Sequence, residues 1–445
     1  MSNGEPVPAG RLRRALPLAA LAGRTAGDAV VAALQQRVLG AEGKPAAAQQ
    51  RAANRYQVLL GRSRGVLMKA GQIISFMSIN SPGGAYQTAF QKLQADAPPM
   101  DWEDAVSVLE AELGAHPDGI FAEFSRKPLA AASIGQVHRA RTKDGRDVAV
   151  KVQYPGMEAA IAADLANVDL LTTFLRVRGV ITGDKTQVDT RALVAEIGDR
   201  IGEEIDYRIE AANQAEFADA YRGHPVIRIP EIVPELSTRR VLTMDFVDGL
   251  GWQDAVERSQ ELRDRWGEVI YRFLWGSLRR FRIAYTDPHP GNYLFHEDGT
   301  VTFLDFGCVK RFTPEQVANL VAMEQAGVEG DADRLWRASM DLNSLTADPP
   351  TPAELLDWMS AQWTPMTAEQ PFTYTPEYAA AVNKRMFSPF GEYGAVIRKM
   401  NMPPETLFYT RMDAGITAIL GALRSTGHWA EIIGELDGAV AGGKP

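Results

Sequence analysis

Residues 286–307 read TDPHPGNYLFHEDGTVTFLDFG, and this stretch is the most informative one in the chain. It begins with a loop rich in proline and glycine at 286–292. Two short strand patterns follow at 293–295 and 301–304, separated by a turn with an Asp-Gly step. The stretch ends with Asp-Phe-Gly at 305–307. Strand patterns on either side of such a turn are typical of a β-hairpin. The stretch therefore predicts a loop followed by a hairpin that leads into Asp305-Phe306-Gly307.

The polar residues of this stretch have the spacing that metal-nucleotide chemistry uses. Asp287 and Asn292 are five positions apart, and Asp305 lies eighteen positions after Asp287. In phosphoryl transfer one carboxylate orients the attacking hydroxyl, while an amide oxygen and a second carboxylate hold Mg²⁺. Each residue alone is a common turn former. Their order and spacing together match the catalytic Asp, Asn and Asp-Phe-Gly of protein kinases.

A second hairpin pattern lies upstream. Gly135–Arg141 and Asp147–Gln153 alternate with period two and flank a turn at 143–146. On the second strand three valines share one face and Lys151 lies on the other. Taken alone, Lys151 is more simply a surface lysine. Kinases place a phosphate-binding lysine on such a strand, so the downstream motif favours a functional Lys151.

The remaining pattern is mostly helical. The first 120 residues predict helices, one of them capped by Asp101, and the chain beyond Thr313 predicts helices interrupted by prolines. Between these regions the sequence predicts an acidic helix, a buried strand and a helix rich in Trp and Phe, at 191–221, 240–244 and 264–282.

Two features of ordinary protein kinases are absent from the sequence. No Gly-x-Gly-x-x-Gly precedes the first strand, where residues 129–136 read LAAASIGQ instead. No Ala-Pro-Glu follows Asp305-Phe306-Gly307, so the usual activation loop and peptide-docking surface are not indicated. The chain is therefore not expected to be a standard protein kinase.

The sequence closely resembles the UbiB/AarF atypical kinases, also called the aarF-domain or "activity of bc-one complex" family. The resemblance covers about residues 65–310 and rests on motifs that other kinase-like families lack. The matching segments read KAGQ, AAASIGQVH, VAVKVQYPG, EIDY with Glu210, DPHPGN and DFG, at 69–72, 130–138, 148–156, 204–207, 287–292 and 305–307.

This resemblance implies an α+β, protein-kinase-like bilobal fold with a helical N-terminal extension and extra C-terminal helices. The implied N-terminal extension covers residues 1–125 and carries the Lys-x-Gly-Gln motif. A kinase-like N-lobe at 126–244 and a C-lobe with the catalytic loop at 245–345 follow. The last part is a C-terminal helical region at 346–445.

The resemblance also implies roles for single residues. The implied catalytic residues are Asp287 with the ion pair of Lys151 and Glu210, and the implied Mg²⁺ ligands are Asn292 and Asp305. An alanine-rich loop, in place of the glycine-rich one, and the segment around the gatekeeper Met244 are implied to bind the nucleotide. The residues of these two segments are Ala130, Ala131, Ala132, Ser133, Met244, Asp245 and Val247, with the backbone of the last two facing adenine.

In the family the Lys-x-Gly-Gln helix folds across the active site, where a peptide substrate would otherwise lie. Lys69 and Gln72 are three positions apart and so share one face of a helix, with Gly71 allowing close backbone approach. This face is implied to meet the Glu-x-Asp motif of Glu204 and Asp206. On an ideal helix Asp206 falls on the stripe of Glu203 and Glu210 whereas Glu204 lies about 100° away, so spacing leaves open which carboxylate Lys69 meets.

Composition restricts the class of protein. The 445 residues are 45% hydrophobic and 23% charged, which excludes collagen and disordered chains. The single cysteine, Cys308, cannot form an internal disulfide, and no segment is apolar enough to span a membrane, which favours the cytoplasm.

Residues 1–70 carry a net charge of +8 in a chain of net charge −9. This favours an anionic membrane surface as a peripheral partner, and no nucleic-acid motif is present.

The sequence as a whole predicts an atypical kinase or ATPase that uses ATP or ADP with Mg²⁺. The resemblance adds a role in isoprenoid-quinone biosynthesis or lipid homeostasis, with a quinone precursor or lipid as partner. One alternative is a small-molecule phosphotransferase of the aminoglycoside or choline kinase type. Another is a nucleotide-gated scaffold without catalysis. Aromatic and Met residues of the C-terminal helices could line a lipid pocket, but core packing is the simpler expectation.

Overall fold

The computed structural model describes residues 100–132, 134–157, 205–388 and 391–441. These residues belong to two compact units. The first unit contains the described residues as far as Asp206, together with Thr238–Leu242. The second contains Tyr207–Ser237 and the chain from Thr243 onward. The finer division into four parts stays a prediction.

The first unit is a small antiparallel sheet with two helices before it. Its elements are α1 (Trp102–Leu113), α2 (Pro117–Ile120), β1 (Phe121–Phe124), β2 (Ala130–Ala131), β3 (Gly135–Thr142) and β4 (Asp147–Gln153). Asp101 occupies the N-cap position of α1, as predicted, but its side chain makes no capping hydrogen bond. In the sheet β3 pairs with β1, β2 and β4.

The predicted hairpin of β3 and β4 is confirmed. Its turn is closed by the Thr142 amide, which donates to the Arg146 carbonyl at 2.9 Å, and Gly145 has a φ of +92° that glycine adopts without steric cost. Val148, Val150 and Val152 are fully buried, as their shared face predicts. The alternation of this strand thus follows the sequence.

The second unit begins with the elements that carry the quoted stretch. They are α3 (Tyr207–Ala220), β5 (Ile227–Arg228), β6 (Val241–Asp245, whose first two residues belong to the first unit), α4 (Trp252–Ala255), α5 (Gln260–Gly276, continued by a π-helical turn), β7 (Ile283–Tyr285), β8 (Tyr293–Phe295), β9 (Val301–Phe303) and β10 (Val309–Arg311). The strands β8 and β9 form the predicted antiparallel hairpin. A second pair, β7 and β10, connects the chain before the catalytic loop with the chain after Asp305-Phe306-Gly307.

One helix boundary differs from the prediction. The acidic helix was expected to include Asp206, but α3 begins at Tyr207. The Ile205 carbonyl instead accepts a hydrogen bond from the side-chain Nε2 of Gln153 at 2.9 Å, so a tertiary contact replaces a helical one. The prediction that Asp206 shares a helix face with Glu210 is therefore wrong, because Asp206 is not part of the helix. Residues 158–204, including Glu203 and Glu204, lie outside the described residues.

The C-terminal part of the second unit is helical, as predicted from Thr313 onward. Its elements are α6 (Pro314–Glu329), α7 (Ala332–Asp341), α8 (Pro352–Ser360), α9 (Thr364–Thr367), β11 (Phe372–Thr373), α10 (Pro376–Phe387), α11 (Gly394–Ile397), α12 (Pro404–Leu423), β12 (Thr426–Gly427) and α13 (Trp429–Ala441). Three of these helices begin at a Thr-Pro step. The side chains of Thr313, Thr351 and Thr375 each accept from a backbone amide of the first turn, and proline has no amide to leave unsatisfied there.

The core of the second unit is aromatic, with Trp266, Trp363 and Trp429 almost fully buried. Among the aromatic and Met residues of the C-terminal region, Met386, Phe408 and Tyr409 are core residues, whereas Met402 is exposed. Core packing therefore accounts for the buried ones. Among the described residues no helix has the length and hydropathy that a membrane span requires.

Candidate functional site

The predicted catalytic loop leaves β7 and is anchored at both ends. Thr286 donates to the Cys308 carbonyl through its amide at 3.1 Å and through its hydroxyl at 3.0 Å. At the other end the Asn292 side-chain amide donates to the Asp287 carbonyl at 3.1 Å. This bond fixes the amide of Asn292 and leaves its Oδ1, the atom suited to a hard cation, as the ligand atom.

The hairpin brings Asp305 beside Asn292. Tyr293 pairs with Phe303, and the Leu304 amide donates to the Asn292 carbonyl at 2.8 Å. The two predicted Mg²⁺ ligands, Asn292 and Asp305, therefore lie on neighbouring backbone segments. Asp305 has a φ of +60°, a left-handed conformation that is unusual for a residue other than glycine. Its Oδ1 accepts from the Gly307 amide at 3.2 Å, which stabilises this turn.

The acidic residue of α3 lies against the same turn. Glu210 is in the first turn of α3 and is only 6% exposed. A Cβ built on Gly307 would lie 3.2 Å from Asp305 Oδ1 and 3.9 Å from Glu210 Oε2. The two carboxylates therefore flank Gly307. Glu210 is buried and Asp305 is half-buried, and two carboxylates this close to one turn place negative charge there that attracts a cation.

The donor set fits Mg²⁺ held jointly by protein and phosphate. Among the described residues, no group of three or more His, Cys, Asp or Glu side chains is arranged to hold a metal ion. Asn292 and Asp305 supply only an amide oxygen and a carboxylate. Mg²⁺ is commonly bound by one or two such groups plus water and substrate phosphates. The residues present therefore fit a metal that arrives with a nucleotide.

Lys151 lies in β4 of the first unit, opposite Val137 of β3. Its side chain faces away from the valine face, yet the residue is only 5% exposed. A buried lysine is rare unless it is paired. The surface interpretation of Lys151 therefore does not hold, while its pairing with Glu210 stays a prediction.

The alanine-rich loop forms a short strand in the first unit. Ala130 pairs with Val137 and Ala131 with Gln136, and the Ala132 amide donates to the Gly135 carbonyl at 2.8 Å. Ala130 and Ala131 are exposed, as a segment that covers a ligand would be. Ser133 lies outside the described residues.

Met244, Asp245 and Val247 are in and just after β6. Met244 is buried, and its sulfur accepts a hydrogen bond from the side-chain Nε2 of Gln214 at 3.4 Å. The Asp245 amide donates to the Glu231 carbonyl at 2.9 Å, so an adenine contact by the Asp245 backbone would have to use its carbonyl. Val247 follows in an irregular, half-buried segment.

The Lys-x-Gly-Gln motif falls outside the described residues. Lys69, Gly71 and Gln72 precede residue 100, and Glu204 belongs to the undescribed 158–204. Asp206 is half-buried and directly precedes α3. The predicted contact of this motif with the Glu-x-Asp acids is therefore untested.

Arg411 of α12 is a site residue that the sequence did not reveal. Its Nη2 lies 2.6 Å from Asp287 Oδ1, and its Nη1 lies 3.7 Å from the Cys308 sulfur. One helical turn later, a Cβ on Gly415 would lie 2.2 Å from Pro288 Cγ, so α12 packs directly on the catalytic loop. A single arginine in a helical pattern carries no signal of such a contact, because its partner is 124 positions away.

The comparisons with known proteins agree with this architecture. A sequence model described as "ABC1 atypical kinase-like domain" matches residues 92–339, more than half of the chain. The chain belongs to this family. Its kinase-like fold and the resemblance to aarF-domain kinases are thereby confirmed.

Several curated members of the ABC1 family are similar to the chain. Rat "Atypical kinase COQ8B, mitochondrial" is 34% identical over 284 residues, which cover 64% of this chain and 53% of that protein. Arabidopsis thaliana "Protein ACTIVITY OF BC1 COMPLEX KINASE 1, chloroplastic" is 32% identical over 312 residues, 66% of this chain and 44% of that protein. The chain thus spans about half the length of these relatives.

A solved structure of a Mycobacterium tuberculosis relative matches over nearly its whole length. This protein, Rv3197, is in complex with erythromycin; it has a TM-score of 0.64 and 31% identity to this chain. The match covers 89% of this chain and 98% of that chain. The likeness therefore extends beyond the part that the ABC1 family model matches.

Proposed function

We propose that this member of the ABC1 family binds ATP or ADP with Mg²⁺ and hydrolyses ATP or transfers its γ-phosphoryl group to a small or lipid-like acceptor. The observation that carries the proposal is the loop and hairpin that hold Asp287, Asn292 and Asp305 in one compact unit. Membership in the atypical kinase family supports it.

Each residue of the site has a part in this proposal. Asn292 Oδ1 and the Asp305 carboxylate hold Mg²⁺, which neutralises the phosphate charge when it is bound. The Asp287 carboxylate, held at Oδ1 by Arg411, uses Oδ2 to accept the proton of the attacking hydroxyl or water. The Arg411 guanidinium also places positive charge beside the group that is transferred.

In this proposal two predicted segments bind the nucleotide. The alanine-rich loop at 130–133 covers the phosphates, and its Cβ atoms restrict how closely backbone amides approach them. Lys151 contacts the phosphates and pairs with Glu210. Met244 and the backbone of Asp245 and Val247 contact adenine.

For the biological role we propose support of isoprenoid-quinone biosynthesis or lipid homeostasis, on the family resemblance. The acceptor or ligand would be a quinone precursor or a lipid. In this role the basic segment at 1–70 holds the protein against an anionic membrane surface. Lys69, Gly71 and Gln72 would restrict access to the acceptor site by meeting Glu204 or Asp206.

A second candidate function is binding of a bulky, largely apolar small molecule. It is favoured by the match to 98% of the chain of the Mycobacterium tuberculosis relative in its erythromycin complex. Erythromycin is therefore a suitable probe. Titration of the full chain with erythromycin, with and without ADP and Mg²⁺, tests this candidate, and no heat of binding in either titration would overturn it.

Nucleotide binding and phosphate release by the full chain test the main proposal. Asp305→Asn should abolish the Mg²⁺ dependence of ADP binding, and Asp287→Asn should abolish phosphate release while ADP still binds. The matched control is Asp348→Asn, since Asp348 is 89% exposed and far along the chain from the site. If wild-type protein binds no nucleotide with Mg²⁺, the proposal is wrong.

Two further experiments distinguish the alternative functions from the main proposal. A small-molecule phosphotransferase accumulates the phosphate ester of a soluble alcohol during turnover, which mass spectrometry of a cell extract would identify. For a nucleotide-gated scaffold, Asp287→Asn leaves cellular function intact, whereas replacement of Lys151 abolishes it.

A further inference from the structure

Three residues on one face of α3 lie against the Asp305-Phe306-Gly307 turn. Glu210, Asn213 and Phe217 are spaced by three and four positions, which places them on one side of a helix. Glu210 lies against Gly307, as described above. The Phe217 ring lies 5.0 Å from the Phe306 ring, centroid to centroid. Between them, Asn213 reaches the backbone of the turn.

Both ends of the Asn213 amide are used, and both bonds hold the same segment. Its Nδ2 donates to the Phe306 carbonyl at 3.0 Å, and its Oδ1 accepts from Arg311 Nη2 at 3.0 Å. Asn213 is 5% exposed, and its bond to the Phe306 carbonyl is shielded from water, whereas 55% of the Arg311 side-chain surface is exposed. Arg311 is held in turn by Glu216 of α3. One side chain therefore connects the start and the end of the segment 306–311.

This segment needs an external constraint. Asp305 has the left-handed φ of +60°, which a residue with a side chain adopts only where its surroundings enforce it. The local bond from the Gly307 amide to Asp305 Oδ1 is long, at 3.2 Å. The bond from Asn213 fixes the Phe306–Gly307 peptide group through its carbonyl, and the amide of the same group donates to Asp305 Oδ1. Asn213 therefore acts on the direction of the Asp305 carboxylate.

We infer that Asn213 is a positioning residue for the metal site: it holds the Phe306–Gly307 peptide group, whose amide donates to Asp305 Oδ1, so that the Asp305 carboxylate is oriented toward Mg²⁺. The inference rests on the proposed function, since it needs a nucleotide-bound Mg²⁺. Arg311 orients the Asn213 amide so that Nδ2, and not Oδ1, faces the Phe306 carbonyl. Asn213 touches neither metal nor nucleotide in this role.

The test is the Mg²⁺ dependence of ATP turnover by the full chain. Asn213→Asp keeps the shape and the Arg311 contact but cannot donate to Phe306 when ionised. We expect the Mg²⁺ concentration at half-maximal rate to rise about tenfold or more, with kcat lowered and with Mg²⁺-free nucleotide affinity unchanged. Asn401→Asp is the matched control, because the Asn401 amide also donates to a backbone carbonyl, that of Asn343, but at an exposed site.

Arg311 supplies a second, independent pair of variants. Arg311→Leu removes the donor that orients the Asn213 amide and should raise the Mg²⁺ requirement in the same direction, whereas Arg311→Lys keeps a donor and should restore it. This pair decides the question if Asn213→Asp fails to fold.

The outcomes separate the two proposals. If wild-type protein shows no Mg²⁺-dependent nucleotide binding, the proposed function fails and the role of Asn213 fails with it. If wild-type protein binds and the folded variants keep the wild-type Mg²⁺ requirement, or lose Mg²⁺-free affinity equally, only the positioning role is overturned.

Discussion

Arg411 binds the predicted catalytic carboxylate: its Nη2 lies 2.6 Å from Asp287 Oδ1. Both side chains are mostly shielded, with 19% and 29% of their surfaces exposed. A guanidinium at hydrogen-bond distance orients a carboxylate as well as balancing its charge. The C-terminal helix α12 thus takes part in the site that the catalytic loop builds.

The first prediction concerns this ion pair. Arg411→Met should lower the kcat of ATP turnover about 100-fold, because Asp287 loses the group that fixes its direction. Steady-state phosphate release measures the effect. Arg411→Lys should recover only part of the loss, since an ammonium lacks the planar fork. Arg334→Met is the control, because Arg334 forms an exposed pair with Glu329; an equal loss in both would contradict the prediction.

The second prediction concerns the packing of α12 on the catalytic loop. Gly415→Ala should destabilise the protein by about 1–3 kcal/mol and lower kcat, because the added Cβ would meet Pro288 at 2.2 Å. Chemical denaturation and turnover measure both effects. At Gly434 of α13 an added Cβ meets nothing within 4 Å, so Gly434→Ala should be neutral or slightly stabilising. If Gly415→Ala is as stable as the wild type, the loop around Pro288 shifts to accommodate the added methyl group and the prediction is wrong.

The third prediction concerns pH. Burial, with a smaller contribution from the Glu324 charge, raises the pKa of Asp413 to about 7. The folded state therefore holds this proton where the unfolded chain has lost it, and stability falls as the pH rises from about 4 to 7, by up to about 4 kcal/mol. Asp413→Asn should remove this slope.

Denaturant titrations of wild type and Asp413→Asn between pH 5 and 8 provide the measurement. Burial also lowers the pKa of His138, His224 and His296, which gives the opposite slope in both proteins. The difference between the two proteins therefore isolates Asp413. A difference that does not change with pH would contradict the prediction.

The fourth prediction concerns a buried charge network beneath α12. Arg279 is bonded to Glu324 and Asp437, and Tyr409 of α12 donates to Glu324 at 2.8 Å. Arg279→Met should cost about 3–5 kcal/mol of unfolding free energy, because Glu324 stays buried without its cation. Adding Glu324→Gln should recover part of this cost. Denaturation curves of the single and double variants test the coupling, and additive losses would exclude it.

The sequence predicted those parts of the structure that depend on near neighbours. Both hairpins are confirmed, because alternation and an Asp-Gly turn lie within a few residues of each other. The fold class, which the resemblance over about residues 65–310 implied, is confirmed by the family match. The loop and hairpin also bring Asn292 beside Asp305, as their order suggests.

Contacts between distant residues could not be predicted in this way. The bonds from Arg411 to Asp287 and from Asn213 to Phe306 join residues 124 and 93 positions apart. Neither side chain belongs to a pattern that names its partner. The start of α3 was misplaced for a similar reason, because the Gln153 side chain binds the Ile205 carbonyl from a strand 52 positions earlier.

The position of Arg411 affects how the protein can be dissected. The family match ends at residue 339, yet the guanidinium that grips the Asp287 carboxylate comes from residue 411. A fragment that ends at residue 339 would keep every motif by which the family is identified and would lose the cation that is paired with the Asp287 carboxylate. Truncations designed from sequence similarity alone would therefore lack one residue of the proposed site.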